Sequence, residues 1–378
     1  MMDHITIEDL GWNEQFQKDF DALSMKQCLP ARLIRDNKIS YGALFINKDG
    51  RLDELEVTMS GKVYHDAESD AELPAVGDWV AIEVGKSEED DETMIRARLP
   101  RQTCFSRKLP GKSTMEQVIA ANVNVVVVVT DAGSDFSPRR MERYFTLIKR
   151  SGSGAVVLMN KSDLFPDQQN KEAAAIIQAL SEEANVYITS AAKNEGLEVL
   201  DKYLESGFSL TLVGSSGVGK STLINQLLGD DFQWTNEVNN LTGKGKHTTT
   251  ARELILLEDG GILIDNPGMR EIQMWTDEQT LRESFADVEE LATQCKFHDC
   301  KHGNDRGCAI REAVEQGNLD EERYVSYLKL DEEIEALKDR QKRLRVLSER
   351  RAKRDHRVKA RNLADRIDQE KDKNPEWR

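Results

Sequence analysis

An ammonium and a hydroxyl stand at the end of a glycine-rich run, Gly214-Ser215-Ser216-Gly217-Val218-Gly219-Lys220-Ser221, and that combination grips phosphate. The run has the form GxxxxGK[ST]. Such a loop works because its backbone N–H groups converge on the ligand while the following helix turns its positive end toward it. Glycines 214, 217 and 219 permit the close approach and the unusual dihedrals. Lys220 is expected to reach the β- and γ-phosphates and the Ser221 hydroxyl to ligate Mg²⁺, with Thr222 beside them at the start of the helix.

Two further motifs bear on which nucleotide is held. Asn160-Lys161-Ser162-Asp163 has the form NKxD, and the Asp163 carboxylate can accept from guanine N1–H and N2–H₂, a pair that adenine does not offer. Buried polar partners of this kind reject the wrong base because they would be left unmatched. Ser190-Ala191, one strand later, has the form of the element whose backbone contacts guanine O6. Asp265-Asn266-Pro267-Gly268 has the form DxxG: Asp265 would hold magnesium through water, and the Gly268 N–H would sense the γ-phosphate. Between the phosphate loop and DxxG lies Lys244-Gly245-Lys246-His247-Thr248-Thr249-Thr250, where switch I must be. Thr248 or Thr249 should touch the magnesium, and one sequence does not choose between them. Met269 and Arg270 follow Gly268, so the glutamine that orients the attacking water in Ras-like enzymes is missing there. His247 is the candidate for that catalytic task; the competing reading is a histidine that contacts a partner or a phosphate.

The order of these motifs is unusual. In an ordinary GTPase the phosphate loop comes first and NKxD near the end. Here the base reader precedes the phosphate cradle by about fifty residues, which is the order of a circularly permuted GTPase.

A second constellation follows downstream. Cys295-x₄-Cys300-x-His302-x₅-Cys308 offers three thiolates and an imidazole within fourteen residues. Soft sulfur with one nitrogen suits tetrahedral Zn²⁺, and a closed set of four ligands is a structural site. His298 is the competing imidazole, but its register differs and His302 is preferred.

Elements must position these groups. Val123 to Thr130, Gly154 to Met159, Val186 to Thr189, Phe208 to Val213 and Gly261 to Ile264 read as strands. Arg139 to Lys149, Lys171 to Ala184 and Lys220 to Leu228 read as helices between them. Such alternation predicts a parallel sheet with helices on both faces, and each motif falls just past the carboxyl end of a strand, where such sheets bind ligands. Upstream, Ala31 to Ile34, Tyr41 to Ile46, Glu56 to Met59 and Trp79 to Val84 are short β-type runs separated by turn signals. They predict a small barrel, with an SH3-like barrel or a two-sheet sandwich fitting nearly as well. A basic connector (Arg96, Arg98, Arg101, Arg107, Lys108, Lys112) joins the two regions. Trp12, Phe16 and Phe20 predict a helical lead-in, and Tyr327, Leu330, Ile334, Leu337, Leu344 and Leu347 a helical end.

Composition narrows the class. A chain of 378 residues is too long for one ordinary core, and 39% hydrophobic with 32% charged residues describes a soluble globular protein. No apolar run is long enough to span a bilayer, and no secretory leader is expected. Five cysteines, three of them in metal-like spacing, point to the cytoplasm; Cys28 and Cys104 are expected as lone buried thiols. The net charge of −16 is uneven: residues 338–361 hold twelve Lys or Arg against three Asp or Glu, a local +9 that leaves the remainder near −25. A gathered basic tail is compatible with RNA, although a solvated helix face would look the same.

These residues resemble the RsgA/YjeQ family of small-ribosomal-subunit biogenesis GTPases. The resemblance is carried by Pro74-Ala75-Val76-Gly77-Asp78-Trp79-Val80, Gln117-Val118-Ile119-Ala120-Ala121-Asn122-Val123, the permuted order, Gly245-Lys246-His247-Thr248-Thr249-Thr250 and the cysteine cluster. It implies a multidomain α/β protein with an N-terminal OB-like barrel, a central permuted P-loop GTPase and a C-terminal zinc-binding helical domain. It also implies GTP and GDP as ligands, with Mg²⁺ and one structural Zn²⁺. Hydrolysis would be stimulated by the 30S subunit during late maturation, through its 16S rRNA. The resulting division is a lead-in over 1–29, the barrel over 30–112, the GTPase over 113–280, the zinc domain over 281–335 and a charged tail over 336–378. Asn266 departs from the family, which usually has a small hydroxyl residue there, and the lead-in and tail are longer than its pattern. A monomer is expected, with no membrane partner. The alternative function is a nucleotide-regulated RNA-binding protein with little turnover; a zinc-linked ATPase or a metal-delivery GTPase is disfavoured by NKxD and the closed ligand set.

Overall fold

Five valines in succession, Val125 to Val129, make a strand that is stable only with both faces covered. In the computed structural model they form β8 (Val125–Thr130), which is buried along its length. The structure describes residues 5–37, 39–67, 69–84, 93–108, 116–133, 135–228, 252–257, 260–266, 281–282, 284–297, 300, 302 and 305–336. Around β8 lie β9 (Gly154–Met159), β10 (Asn185–Ile188), β11 (Ser209–Val213) and β13 (Ile262–Asp265), all parallel, in the order β10-β9-β8-β11-β13. Val126 and Val128 face the core under α3 (Pro138–Ser151) and α4 (Asp167–Leu180). Val125, Val127 and Val129 face the opposite core, which includes Leu223 of α5 (Lys220–Leu228).

The expectation of a wholly parallel sheet is corrected: β12 (Glu253–Leu256) runs antiparallel to β13. A tight turn makes this possible, with Gly260 at φ 88° and the Leu257 N–H bonded to the Gly261 carbonyl at 2.8 Å. Antiparallel neighbours need no crossover helix, so no helical pattern separates the two strands.

β12 then pairs with β1 (Cys28–Asp36) at Arg35 and Glu253, which carries the sheet into the N-terminal region. There β1, β2 (Ser40–Ile46), β3 (Leu52–Met59), β5 (Met94–Arg98) and β4 (Trp79–Glu83) pair in that order, and β4 returns to β1. The circuit therefore closes, with β3 and β5 parallel. Leu33, Phe45, Val57, Val80, Ile82 and Ile95 fill one apolar cluster within these strands. A short α2 (Gly61–Asp66) lies between β3 and β4. In the lead-in, Asn13 caps α1 (Glu14–Ala22) by accepting from the Gln15 and Phe16 N–H groups. Trp12 and Phe16 then pack on Trp79, the two indole rings 4.6 Å apart.

Part of the basic connector forms strand, and its Lys112 lies outside the described residues. β6 (Cys104–Lys108) and β7 (Glu116–Ala121) form an antiparallel pair. Arg101 folds back on the fully buried Asp78, with Nε to Oδ1 at 2.8 Å and Nη2 to Oδ2 at 2.7 Å. Cys28 and Cys104 are only partly buried, against the expectation of buried thiols.

Downstream, α6 (Ala286–Ala292), α7 (Ala309–Glu315) and α8 (321–336) contribute Val288, Ile310, Tyr327, Leu330 and Ile334 to one cluster with Met141 and Tyr144 of α3. The basic stretch 338–361 lies outside the described residues.

Candidate nucleotide site and metal centre

β11 ends at Val213 and α5 begins at Lys220, so the glycine loop bridges a strand tip and a helix N-terminus. Gly214, Gly217 and Gly219 all have positive φ, at 147°, 85° and 103°. A Cβ on Gly214 would stand 2.3 Å from the Val129 carbonyl oxygen, so only glycine lets the loop lie this close to β8. Ser216, Gly217, Ser221 and Thr222 are exposed, whereas Val218 is buried and anchors the loop. Lys220 Nζ donates to the carbonyls of Gly214 (2.8 Å) and Ser215 (2.6 Å).

NKxD follows β9, and the structure brings it to the phosphate loop. Asn160 Nδ2 donates to the Val218 carbonyl at 2.8 Å, while its Oδ1 accepts from the Ala191 N–H at 2.9 Å. One buried amide thus ties together three loops that lie 31 and 58 residues apart in the chain. Ser190 Oγ donates to Asp163 Oδ1 at 2.6 Å, which fixes the carboxylate expected to read guanine. Ser162 donates its N–H to the Thr189 carbonyl at 3.0 Å. Lys161 takes a left-handed conformation with φ 59°, and its ammonium lies 3.2 Å from Asp131 Oδ2.

Asp265 closes β13 next to the phosphate loop. Burial pushes its carboxyl above the ordinary range, although the Asn266 N–H and Lys220 pull the other way. Burial likewise lowers the Lys220 ammonium against the pull of Asp135 and Asp265. Burial disfavours the charged form of each, and a phosphate near Lys220 with a dication near Asp265 would offset that cost. Asn266 is buried and donates to Thr211 Oγ1 at 2.9 Å, a contact that a small hydroxyl residue would make differently. His247, Thr248, Thr249 and Gly268 lie outside the described residues.

The cysteine cluster assembles on the loop between α6 and α7. The donor atoms of Cys295, Cys300, His302 and Cys308 all lie within 4.8 Å of one another. His302 Nδ1 is 3.6 Å from Cys295 Sγ and 3.7 Å from Cys308 Sγ. Tetrahedral bonds of about 2.3 Å to sulfur and about 2.05 Å to nitrogen require a similar separation. Tyr324 donates its hydroxyl to the His302 carbonyl, which steadies the backbone under the ring. His298 lies outside the described residues.

Sequence reasoning missed Asp131, Asp135 and Arg140 at the site. Asp131, buried at the end of β8, accepts from the N–H groups of Gly133 (2.9 Å) and Asp135 (3.2 Å) besides facing Lys161. Arg140 of α3 donates through Nη1 to Asp135 Oδ1 and to Ser215 Oγ of the phosphate loop. No local signal marks such groups, because their partners are distant in the chain.

Comparison with known proteins gives a consistent picture. The sequence matches a family model described as RsgA GTPase over residues 98–275, and one described as 50S ribosome-binding GTPase over 209–347. The small ribosomal subunit biogenesis GTPase RsgA of Opitutus terrae is 40% identical over 339 residues, covering 87% of this chain and 90% of its own. The protein of the same name from Methanosarcina acetivorans is 38% identical over 334 residues, covering 86% and 84%. Among solved structures, YjeQ from Thermotoga maritima matches with a TM-score of 0.57 at 24% identity, covering 81% of this chain and 98% of that one. YloQ, described as a circularly permuted GTPase, matches with a TM-score of 0.54 at 24% identity, covering 82% and 96%.

Proposed function

The chain belongs to the RsgA GTPase family, and from that premise we propose that its GTP hydrolysis serves late maturation of the small (30S) ribosomal subunit, which stimulates turnover and offers its 16S rRNA as the docking surface. That the chain is a GTP hydrolase follows from the family itself. The observation that carries the reading is Asn160, which joins the base loop and the phosphate loop although the chain delivers them in permuted order.

In this reading Gly214 to Thr222 wraps the phosphates, with Lys220 neutralising the charge that develops on the β- and γ-oxygens. Asn160, Lys161, Ser162 and Asp163 take the guanine with Ser190 and Ala191. Ser221 and Asp265 would hold Mg²⁺, completed by Thr248 or Thr249, and Gly268 would sense the γ-phosphate. His247 would orient the attacking water in place of the missing glutamine. Cys295, Cys300, His302 and Cys308 would hold one structural Zn²⁺, and their donor set and separations suit that ion. The closed circuit of β1 to β5 is read as an OB-like barrel, a form that serves nucleic-acid binding in other proteins. We place the protein in the cytoplasm as a monomer; among the described residues no helix is long and apolar enough to cross a membrane.

One of the matching models is described as a 50S ribosome-binding GTPase, so the two subunits must be compared directly. GTP hydrolysis is measured for the purified chain alone, with 30S and with 50S, using ATP as control. Stimulation by 30S alone is expected. Stimulation by 50S alone, or by neither, would overturn the 30S assignment. A His247→Ala variant that binds GTP but no longer turns it over supports the water-positioning role; unchanged turnover removes it.

A further inference from the structure

We propose that Arg140 is a positioning residue for the phosphate loop, and that α3, which carries it, ties the nucleotide site to the C-terminal helices. The inference rests on guanine-nucleotide binding at Gly214 to Ser221 and adds to it a side chain outside the known motifs.

The geometry begins at the end of β8. Thr130 donates from Oγ1 to Asp135 Oδ2 at 3.3 Å, and Asp131 Oδ1 accepts the Asp135 N–H at 3.2 Å. Asp135 is therefore fixed before it meets any cation. Its Oδ1 and its carbonyl (3.3 Å) both accept from Arg140 Nη1, and the same nitrogen reaches Ser215 Oγ. Ser215 is thus held twice, by Arg140 at its hydroxyl and by Lys220 at its carbonyl. Lys220 is the group expected to turn toward the phosphates. Arg140 then remains as the side-chain tie on the first half of the loop, with its Nη1 shared between Asp135 and Ser215.

The same helical turn faces the other way as well. Glu142 is buried, and its Oε1 accepts from Arg323 Nη1 of α8 at 3.0 Å. Arg323 also clamps Asp287 of α6, with two nitrogen–oxygen distances of 2.7 Å. Arg143 pairs with Glu333 of α8. Met141, Tyr144, Leu147 and Ile148 are packed in the core, so α3 moves as a body if it moves. A displacement of the phosphate loop at Ser215 is consequently delivered to α6 and α8 through residues within one turn of Arg140.

The competing account is that Arg140 is an ordinary ion-pair partner of Asp135, as its side-chain exposure of 41% allows. The full chain is loaded with fluorescent GDP or a fluorescent non-hydrolysable GTP analogue, and dissociation is followed for Arg140→Ala, Arg140→Lys, Ser215→Ala and the Arg140→Ala/Ser215→Ala double variant. Release from Arg140→Ala is expected to be roughly fivefold faster, the scale of one charge-assisted hydrogen bond on a partly exposed group. Arg140→Lys should fall between it and the native chain, and the double variant should release no faster than Arg140→Ala. Nucleotide should also raise hydrogen-exchange protection in residues 309–336 of the native chain, but not of Arg140→Ala. Native-like release from Arg140→Ala, additive effects in the double variant, or protection of 309–336 that is independent of Arg140 would each overturn the proposal. If the native chain fails to hold either nucleotide, the GTPase reading itself falls, which is a different result from native binding with unaffected variants.

Discussion

Asn160 was legible as the first letter of NKxD, but its work was not. Its amide bonds Val218 and Ala191, so it aligns the loops of the site besides belonging to the motif expected to read the base. Asn160→Ala would leave a buried carbonyl and a buried N–H without partners, at about 1–3 kcal/mol each. Guanine-nucleotide affinity measured by calorimetry should fall at least tenfold, and the melting temperature should fall by several degrees with it. Gly219→Ala tests the same junction from the other side, because a Cβ there would stand 2.3 Å from Asn160 Nδ2. It should weaken nucleotide binding at least as much, and native-like affinity would mean the loop relaxes without cost. The four metal-cluster residues were equally legible, because thiolates and imidazole at short spacing have few other uses. Asp131, Asp135 and Arg140 were not, since a carboxylate at a strand end or an arginine in a first helical turn is ordinary until its distant partner is known.

Among elements, β8, β9 and β11 could be read because most of their positions are buried and apolar. β5 through β7 could not. Their arginines and lysines disguise the period, and Arg101 points its charge at the buried Asp78 instead of at solvent. Burial opposes the charged form of Arg101, yet Asp78 raises its basicity above the ordinary value. Breaking the pair from one side strands a buried charge, so Asp78→Ala should cost about 3–5 kcal/mol in urea denaturation. Gly77 beside it has φ 90°, and a Cβ there would lie 2.1 Å from the Ala121 carbonyl, which ties β7 to the turn before β4. The contact between α6 and α8 should respond to acid. Burial works against the Asp287 carboxylate, but the hydrogen bond and charge of Arg323 win and lower its pKa. A lowered pKa contributes stability that is present above the unfolded value of about 3.9 and is lost as pH falls through the folded one. Hydrogen-exchange protection in α6, corrected for intrinsic rates, should therefore fall below about pH 4 in the native chain, and Asp287→Asn should weaken that dependence.

At the scale of the molecule, one sheet runs from the nucleotide site into the N-terminal strands. Arg35 reinforces the passage by pairing with Glu253 at 2.9 Å and Glu54 at 3.2 Å. No sequence pattern announces that continuity, because it depends on a single residue pair between β12 and β1. The C-terminal helices are bound in differently, through the cluster they share with α3 and through the proposed zinc ligands. Chelation of the metal, or Cys308→Ser, should lower the melting temperature by several degrees and remove stimulation by 30S, while leaving GDP affinity within about threefold. Loss of GDP binding on chelation would mean that the two sites fold as one. The permuted order also has a consequence for how the chain is made. β8, β9 and β10 leave the ribosome before β11, whose Leu210 to Val213 must later pair with Val125 to Val128 in the middle of the sheet. For about eighty residues of synthesis, roughly 4–16 seconds at typical elongation rates, five valines stand at an unclosed margin that other nascent chains can stick to. Rearranging the gene order spares the finished site, but it lengthens the adhesive stage of its birth, and yield in the cell should follow chaperone supply more closely than it follows nucleotide.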